Sequence, residues 1–459
     1  MQAPSWDPTL IQRHDKSGPR YTSYPTAPQF HEEFSLEQLE SAIERSNASR
    51  RPLSLYFHIP FCDTICYYCA CNKIVTANKS RARPYLDSLF DEMRLMAEKV
   101  ASDRPVNQLH WGGGTPTYIS DDEKRELMGV TRELFNLHEN DTGEYSIEVH
   151  PGQMEVGTIG VLRELGFNRI SMGIQDFDPL VQRAVNRFNS VEQVSELVSA
   201  ARQKKFHSIS MDLIYGLPMQ TLETLRATVQ SVIELSPDRI SLFNYAHLPH
   251  LFKTQKQIDE RQLPSADTKL SMLELAITLL TQAGYVYIGM DHFAKPDDEL
   301  AIAQEKGELQ RNFQGYATHG NCDMFAFGVS SISAIDNIYV QNFKDIPGYS
   351  APIASGQLPM QKGLVLSEDD LLRQYVINRL ICQFELCFAE IEDKFGINFT
   401  QYFATELREL NELTADHLIE LAPTHVRVTP QGRLLIRRVC MVFDAYLRQP
   451  TKQSFSRII

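Results

Sequence analysis

Three cysteines that lie close together in the chain have the types and spacing most suited to chemistry. Cys62, Cys66 and Cys69 follow the spacing Cys-x3-Cys-x2-Cys, and three thiolates arranged in this way can hold an iron–sulfur cluster. Clusters normally take four cysteines, so a cluster with three would keep one iron open to a reacting molecule. With Cys71 the same residues could instead form a closed tetrahedral zinc site, although the single residue between Cys69 and Cys71 is shorter than the spacing usual for zinc ligands.

The elements that must position these cysteines are predicted by a repeated alternation of apolar runs and segments with helical spacing. Such an alternation predicts parallel strands joined by right-handed helical crossovers. A doubly wound sheet and a barrel both satisfy it, and in both the C-terminal ends of the strands collect the functional residues. The predicted strands are Leu53–Phe61, Val106–Trp111, Tyr145–Val149, Arg169–Phe177, Ser208–Leu217 and Arg239–Leu248. Polar or glycine-rich residues at their ends are His58, 112–115, 148–150, 175–176, Asp212 and 244–247.

The segments on either side of this region have a different character. The first 35 residues show no periodicity, and residues 17–26 form an extended stretch punctuated by proline and glycine. After residue 358 helical segments dominate, beginning at a capping box of Ser367 and Asp370. We predict one short strand and turn at Val426–Gly432 and a last helix at Leu434–Leu447. The predicted domains are an arm over residues 1–35, a catalytic barrel over 36–358 and a mostly helical domain over 359–459.

Composition limits the class of protein. The 459 residues carry 45 Lys and Arg against 58 Asp and Glu, a formal net charge of −13, which argues against general nucleic-acid binding. No stretch approaches the length of a membrane span, and the N-terminus has neither the basic nor the apolar region of a secretory signal. We therefore expect a cytoplasmic protein, in which a cysteine cluster is a metal or redox site rather than a disulfide framework.

Several motifs resemble those of a known family. Cys-x3-Cys-x-aromatic-Cys, with Tyr68 as the aromatic residue, resembles the signature of radical S-adenosylmethionine (SAM) enzymes. Longer stretches resemble the oxygen-independent coproporphyrinogen III oxidases, also called coproporphyrinogen dehydrogenases. These stretches are Gly18–Thr26, His58–Cys62, Cys69–Lys73, Trp111–Thr117, Gly289–Phe293, Arg311–Tyr316 and Gly432–Arg437. The resemblance implies an α/β fold, an incomplete (βα)6 radical-SAM barrel with an N-terminal arm and a mostly α-helical C-terminal domain.

The resemblance also implies an activity. In the family three cysteines hold a 4Fe-4S cluster, SAM binds its open iron, and a 5′-deoxyadenosyl radical removes hydrogen from a propionate. Two propionates of coproporphyrinogen III are thereby decarboxylated to vinyl groups, giving protoporphyrinogen IX in haem biosynthesis. The implied partners are this substrate and a low-potential electron donor such as flavodoxin or ferredoxin, with no nucleic acid, and a monomer is expected. The alternative is a radical-SAM-type haem chaperone, which keeps the three cysteines but lacks the Cys71 position and the arm.

Site residues are carried over from the family by position. The cluster ligands are Cys62, Cys66 and Cys69. The first SAM is assigned to Tyr56, Gly113, Glu148 and Ile332. A second SAM is assigned to Tyr68, Gly114, Thr115, Gln175, Arg187, Asp212 and Ala246.

Four further residues are assigned to the site without a cofactor role in the family. His58 is assigned to the catalytic centre because it could donate a hydrogen bond to the cluster or to SAM, the alternative being a packed strand histidine. Cys71, which is not a cluster ligand in the family, is assigned there too, the alternative being coordination after a rearrangement of the loop. Arg20 and Arg311 are assigned to the substrate carboxylates, because a guanidinium can bind a carboxylate with two parallel hydrogen bonds.

Some positions depart from the family pattern, and one segment carries a further expectation. Ala70 stands where a glycine is expected, His150 where an aspartate is expected, and Tyr68 where phenylalanine is common. If the glycine required a positive φ, alanine would cost roughly 1–2 kcal/mol there. We also expect residues 17–26 to cover the mouth of the barrel once substrate is bound, with Arg20 pairing to a propionate.

Overall fold

The computed structural model describes residues 4–448, 455, 457 and 458. These residues form two compact units. The sheet unit contains Phe30–Lys269 and Asn321–Val365, and the second unit contains the described residues of Met1–Gln29, Leu270–Gly320 and Leu366–Ile459. The domain boundaries predicted after residues 35 and 358 stay predictions. In the described part of the chain, no helix combines the length and the apolar character needed to cross a membrane.

The strands and helices have the following bounds. The strands, in chain order, are β1 (Leu53–Ile59), β2 (Phe61–Cys62), β3 (Ile74–Val75), β4 (Pro105–Gly113), β5 (Asn136–Leu137), β6 (Glu144–Val149), β7 (Arg169–Gln175), β8 (Ser208–Tyr215), β9 (Arg239–Asn244), β10 (Val286–Gly289), β11 (His292–Ala294), β12 (Gln310–Asn312), β13 (Gly315–Ala317), β14 (Asp323–Phe327), β15 (Ile332–Ile335), β16 (Ile338–Asn342), β17 (Met360–Val365), β18 (Glu385–Cys387), β19 (Ile419–Leu421) and β20 (His425–Val428). The helices are α1 (Pro8–His14), α2 (Leu36–Ser49), α3 (Ala82–Ala97), α4 (Asp121–Leu134), α5 (Val156–Glu164), α6 (Pro179–Val185), α7 (Val191–Gln203), α8 (Leu222–Leu235), α9 (Ala266–Gln282), α10 (Glu299–Glu305), α11 (Ile346–Ala354), α12 (Glu368–Gln383), α13 (Phe388–Phe395), α14 (Phe399–Tyr402), α15 (Ala404–Ala415) and α16 (Ile436–Cys440).

The strand order of the sheet unit distinguishes between the two architectures that the sequence allowed. The parallel strands β1, β4, β6, β7, β8 and β9 lie beside one another in their chain order. A doubly wound sheet reverses its strand order at a switch point, whereas a barrel adds strands in sequence. On the other side of β1, the parallel strand β14 is followed by the antiparallel strands β15, β16 and β17. The six predicted strands are thus confirmed, and their order is that of an incomplete barrel.

Burial and capping explain why these elements form. The side chains of Phe57 and Trp111 are fully buried on neighbouring strands and pack edge to face, as expected for a sheet covered on both faces. Three of the helices between the strands begin at capping boxes, in which a side-chain oxygen satisfies a free backbone N–H. These caps are Ser120 for α4, Ser190 for α7 and Thr221 for α8.

One helix of the second unit was not expected, and one expectation is wrong. Helix α1 lies within the first 35 residues, which show no periodicity in the sequence. Asp7 caps it by accepting hydrogen bonds from the next turn, and its seven residues are too few to show a periodic pattern. The predicted helix Leu434–Leu447 is instead α16 followed by two short 3-10 turns. The chain leaves the helix at Asp444, because this buried carboxylate accepts a hydrogen bond from Tyr21, at 2.9 Å, and from the amide of Tyr446.

Residues 17–26 are ordered in the second unit. Arg437 donates hydrogen bonds to the carbonyls of Gly18 and Pro19. Tyr21 and Tyr24 are buried, and the hydroxyl of Tyr24 accepts a hydrogen bond from the amide of residue 445 at 3.1 Å. The segment therefore belongs to the packed structure of this unit. Whether it also covers bound substrate stays a prediction.

Candidate functional site

The cysteine loop, residues 60–73, follows β1 directly and is closed at both ends. The amide of Ile74 donates to the carbonyl of Pro60 at 2.7 Å, and the amide of Thr76 donates to the carbonyl of Cys62 at 3.0 Å. The short parallel pairing of β2 with β3 places Cys62 beside Val75. The loop between these ties carries Cys66 and Cys69, and all of its cysteines are free thiols.

The surroundings of the thiols suit sulfur ligands that carry negative charge. The Thr115 hydroxyl and the Arg187 guanidinium each lie 3.6 Å from a cysteine sulfur, of Cys62 and Cys66 respectively. A hydrogen bond from Cys71, together with nearby Lys73, lowers the pKa of the Cys69 thiol to about 6. Such donors stabilise thiolates and tune the metal they bind. The donor set therefore fits three cysteine ligands of an iron–sulfur cluster.

A site for a single metal ion requires all its ligands to converge on one point. In the described part of the chain, no three His, Cys, Asp or Glu side chains converge on a point that could hold one ion. A zinc site requires such convergence, because all its ligands bind the same ion. In a cluster of several irons the thiolates bind different iron atoms, so they need not converge on one point.

The glycine run at the end of β4 packs directly against the cysteine loop. The amide of Gly114 donates to the carbonyl of Ile59 at 2.8 Å. A Cβ atom at Gly114 would lie 2.6 Å from the backbone of Pro60, and one at Gly113 would lie 2.6 Å from the His58 ring. Gly113 also has a φ of +113°, which side chains strongly disfavour. The glycines are thus required for this close approach.

The neutral imidazole of His58 holds the cysteine loop through hydrogen bonds. Its Nε2 lies 2.9 Å from the Asn72 carbonyl, which can only accept, so Nε2 carries the proton. Its Nδ1 accepts from the Tyr56 hydroxyl at 3.1 Å. Burial lowers the pKa of His58 and keeps the ring neutral. The ring thereby links β1, where the loop begins, to Asn72, where it ends.

Sequence reasoning missed a buried network behind His58. Tyr85 of α3 donates to the His58 carbonyl at 2.5 Å and accepts from the amide of Val329 at 3.1 Å. Glu92 lies about two turns after Tyr85 on the same face of α3, and its carboxylate accepts a hydrogen bond from the amide of Gly328 at 2.8 Å. Burial raises the pKa of Glu92 to about 7, against the opposing effect of its donors. The network joins His58 to the turn that leads into β15. Its signal in the sequence was an acidic residue seven positions after Tyr85 on an apolar helix face.

Two predicted carboxylates lie on alternate strands of the sheet. Glu148 of β6 lies in register with Ser171 of β7, whose hydroxyl donates to Asp212 of β8 at 3.1 Å. Burial raises the pKa of Asp212 to about 6, and the charge of Glu148 adds to the shift. Burial would also raise the pKa of Glu148, but hydrogen bonds from His110 and Gly113 outweigh it and lower the pKa. The Glu148 side chain is 47% exposed, so this carboxylate is ionised and accessible.

The residues predicted for a second SAM all lie in the sheet unit, and Gln175 has two features of a ligand site. Arg187 donates through Nε to the Gly173 carbonyl at 3.0 Å. Gln175 has a φ of +69° at a bulge in β7, and its buried Oε1 has no hydrogen-bond partner among the described residues. Strained backbone and an unsatisfied buried acceptor are both typical of ligand sites.

Gln255 is a second residue that the sequence reasoning missed. Its buried amide nitrogen donates to the carbonyl of Tyr68 at 3.1 Å and to that of Ala246 at 3.2 Å. It thereby connects the cysteine loop with the segment after β9. Nothing in the local sequence around Gln255 indicated this role.

The remaining predicted residues have the following positions. Ile332 begins β15, after the turn that Glu92 and Tyr85 hold. Cys71 is exposed, at the end of the cysteine loop. Ala70 does not adopt a positive φ, so the cost considered for this departure does not arise. Arg20 and Arg311 lie in the second unit.

His150, the departure next to Glu148, gives a testable dependence of stability on pH. Burial, aided by the charge of Arg187, lowers its pKa to about 3, below the ordinary value of about 6.5. Between about pH 6.5 and about pH 3, His150 is protonated in the unfolded chain but not in the folded one. The free energy of unfolding is therefore unaffected by His150 above about pH 6.5, and it decreases as the pH falls from there towards 3. At about pH 5 the loss is about 2 kcal/mol. We expect His150→Gln to flatten the fall in melting temperature between about pH 8 and about pH 5.

The control for this experiment is His250→Gln, because His250 is exposed. Its melting temperature should follow that of the parent chain at every pH. A His150→Gln profile parallel to that of the parent would contradict the assignment of a buried, neutral His150.

Comparison with known proteins places this site in a family. The Radical SAM superfamily model matches residues 56–232, and the HemN C-terminal domain model matches residues 366–435. The oxygen-independent coproporphyrinogen III oxidase of Pseudomonas aeruginosa is 51% identical over 454 residues, covering 99% of both chains. That of Escherichia coli is 48% identical over 460 residues and covers both chains completely, at 100%. The chain belongs to the oxygen-independent coproporphyrinogen III oxidase family.

A solved structure supports the same family at the level of the fold. The E. coli coproporphyrinogen III oxidase, described as a radical SAM enzyme, aligns with a TM-score of 0.92 at 47% sequence identity. The alignment covers 97% of this chain and 100% of the other. The predicted radical-SAM fold is thereby confirmed. Membership of the oxygen-independent coproporphyrinogen III oxidase family also implies a 4Fe-4S cluster and SAM as cofactors.

Proposed function

We propose that the chain catalyses the oxygen-independent oxidative decarboxylation of coproporphyrinogen III. Two propionate side chains become vinyl groups, and the product is protoporphyrinogen IX, a precursor of haem. The observation that carries the proposal is the closed cysteine loop packed on the glycine run, in a chain that matches oxidases of this name along its whole length.

The cofactors have defined positions in this proposal. Cys62, Cys66 and Cys69 hold the cluster. When bound, the cluster and SAM supply the electron and the carbon radical that removes a hydrogen atom from the propionate. Every other contribution comes from the chain, which must orient the reactants and exclude water.

The first SAM is held beside the glycine run. Tyr56, Gly113, Glu148 and Ile332 form its site. The ionised Glu148 carboxylate is accessible and can accept hydrogen bonds from an ammonium group or from ribose hydroxyls. Gly113 allows close approach of the backbone, and His58 holds the cysteine loop in place without exchanging a proton.

A second SAM binds near the C-terminal ends of β7 and β8. Its site is formed by Tyr68, Gly114, Thr115, Gln175, Arg187, Asp212 and Ala246. The unsatisfied oxygen of Gln175 and the Asp212 carboxyl, whose pKa burial raises to about 6, provide polar groups for it. Equilibrium dialysis of the reconstituted protein tests this point: two SAM molecules per chain are expected, and one would remove the second site.

The reaction also sets requirements for partners. A low-potential donor such as flavodoxin or ferredoxin supplies the electron, and the chain acts as a monomer in the cytoplasm. Cys71 lies at the exposed end of the loop, close enough to Cys69 for a hydrogen bond, and we assign it to the catalytic centre rather than to the cluster.

The deciding experiment is anaerobic reconstitution with iron and sulfide, followed by coproporphyrinogen III, SAM and a chemical reductant. We expect protoporphyrinogen IX to form, and we expect no product when SAM is omitted. The haem-chaperone alternative is not favoured, because the relatives that match the whole chain are named as oxidases. Stable haem binding without turnover would nevertheless overturn the proposal in favour of that alternative.

A further inference from the structure

Arg311 of the second unit has buried hydrogen-bond donors that no described residue satisfies. Its Nε and Nη1 atoms are inaccessible to solvent and have no hydrogen-bond partner in the described part of the chain. The guanidinium lies over the ring of Tyr316, 4.8 Å from its centre, and these two residues pair across the β12–β13 hairpin. Asn378 holds the Arg311 carbonyl at 3.1 Å. A fixed cation with unsatisfied buried donors is costly in a folded protein and calls for a ligand.

A second arginine of the same unit, Arg20, is paired with one acidic side chain among the described residues. Nη1 of Arg20 lies 3.2 Å from the carboxylate of Asp291, and the Arg20 side chain remains 37% exposed. Arg437 fixes the backbone just before Arg20, because it donates to the carbonyls of Gly18 and Pro19. The direction in which Arg20 leaves the backbone is therefore set by Arg437.

Arg20 and Arg311 both lie within electrostatic range of Arg437. Burial lowers the pKa of Arg437 to about 10, and the nearby positive charges of Arg20 and Arg311 add to the shift. Asp291 and Tyr21 oppose it. Since Asp291 is also the ion-pair partner of Arg20, it is the carboxylate that acts on both Arg20 and Arg437.

We propose that Arg20 and Arg311 form a binding site for a carboxylate of the substrate, with Arg437 as the positioning residue for Arg20. The identity of this ligand rests on the proposed function. Coproporphyrinogen III carries four propionates and loses two, so two carboxylates persist through the reaction and can anchor the macrocycle. A guanidinium can bind such a group through two parallel hydrogen bonds.

Binding of oxidised, fluorescent coproporphyrin III tests the proposal without turnover. We expect Arg311→Met to weaken this binding roughly 10- to 100-fold, the loss that corresponds to one charged hydrogen bond. Arg311→Lys should recover part of the affinity, since it restores the charge but not the planar geometry. The tetramethyl ester, which has no carboxylate, should bind the parent and Arg311→Met equally. Arg408→Gln is the matched control, because Arg408 is exposed and bonds only within its own helix.

Stability separates a ligand-binding role from a structural one. Without ligand, Arg311→Met should melt at the same temperature as the parent or higher, because the unsatisfied donors are gone. Unchanged coproporphyrin III affinity in this variant would overturn the site. The site would also be overturned if Arg311→Met melted at a lower temperature than the parent and lost as much affinity for the tetramethyl ester as for coproporphyrin III. A parent chain that neither binds coproporphyrin III nor converts coproporphyrinogen III would instead overturn the proposed function.

Discussion

Cys62→Ser, Cys66→Ser and Cys69→Ser will each yield a chain that cannot retain an iron–sulfur cluster, whereas Cys71→Ser will retain it. Serine is a hard oxygen ligand and a poor replacement for a thiolate on iron. The structure places the first three cysteines on a loop with hydroxyl and guanidinium donors beside two of the sulfurs. Cys71 is exposed at the end of that loop. The measurement is iron and sulfide per chain, together with the brown absorbance of the anaerobically reconstituted protein.

Cys382→Ser serves as the control for this series. Cys382 is fully buried in the second unit, and burial keeps its thiol protonated by raising its pKa to about 12. Its replacement should leave the iron content unchanged. If Cys71→Ser lost the cluster as completely as Cys66→Ser, the assignment of three ligands would be wrong.

Gly114→Ala will reduce SAM-dependent turnover by at least about 100-fold, the loss that follows when reacting groups are misplaced by about 1 Å. The added Cβ would lie 2.6 Å from the backbone carbonyl of Pro60. Because the contact is with backbone, it cannot be relieved by the movement of a side chain. The end of β4 and the cysteine loop must therefore move apart. The measurement is the rate of protoporphyrinogen IX formation, with SAM affinity determined in parallel.

Gly129→Ala is the matched control in the same unit. Gly129 lies inside α4, and a Cβ there would meet no atom of the described residues within 4 Å apart from the nearby backbone of its own helix. Alanine favours a helix over glycine by about 0.5–1 kcal/mol, so this variant should be slightly more stable and fully active. Equal activity of both variants would show that the close approach at Gly114 is not needed for catalysis.

Patterns within short stretches of the chain could be recognised from the sequence. The spacing of the three cysteines, the glycine run and the alternation of apolar runs with helical segments each depend on residues close together in the chain. These patterns predicted the cysteine loop after β1 and a parallel sheet, and the family resemblance predicted the radical-SAM barrel. The SAM residues were assigned from the same resemblance and the substrate arginines from their chemistry, and both assignments stay predictions.

Contacts between distant parts of the chain became known from the three-dimensional structure alone. The hydrogen bond from Gly328 to Glu92 joins residues 236 positions apart, and that from Tyr21 to Asp444 joins residues 423 positions apart. Local periodicity carries no information about such partners. This is why the prediction of a last helix through Asp444 was wrong, and why Glu92 and Gln255 were missed. The unsatisfied donors of Arg311 depend in the same way on what surrounds it in space, because a buried polar group is recognised as unpaired only when every neighbour is known.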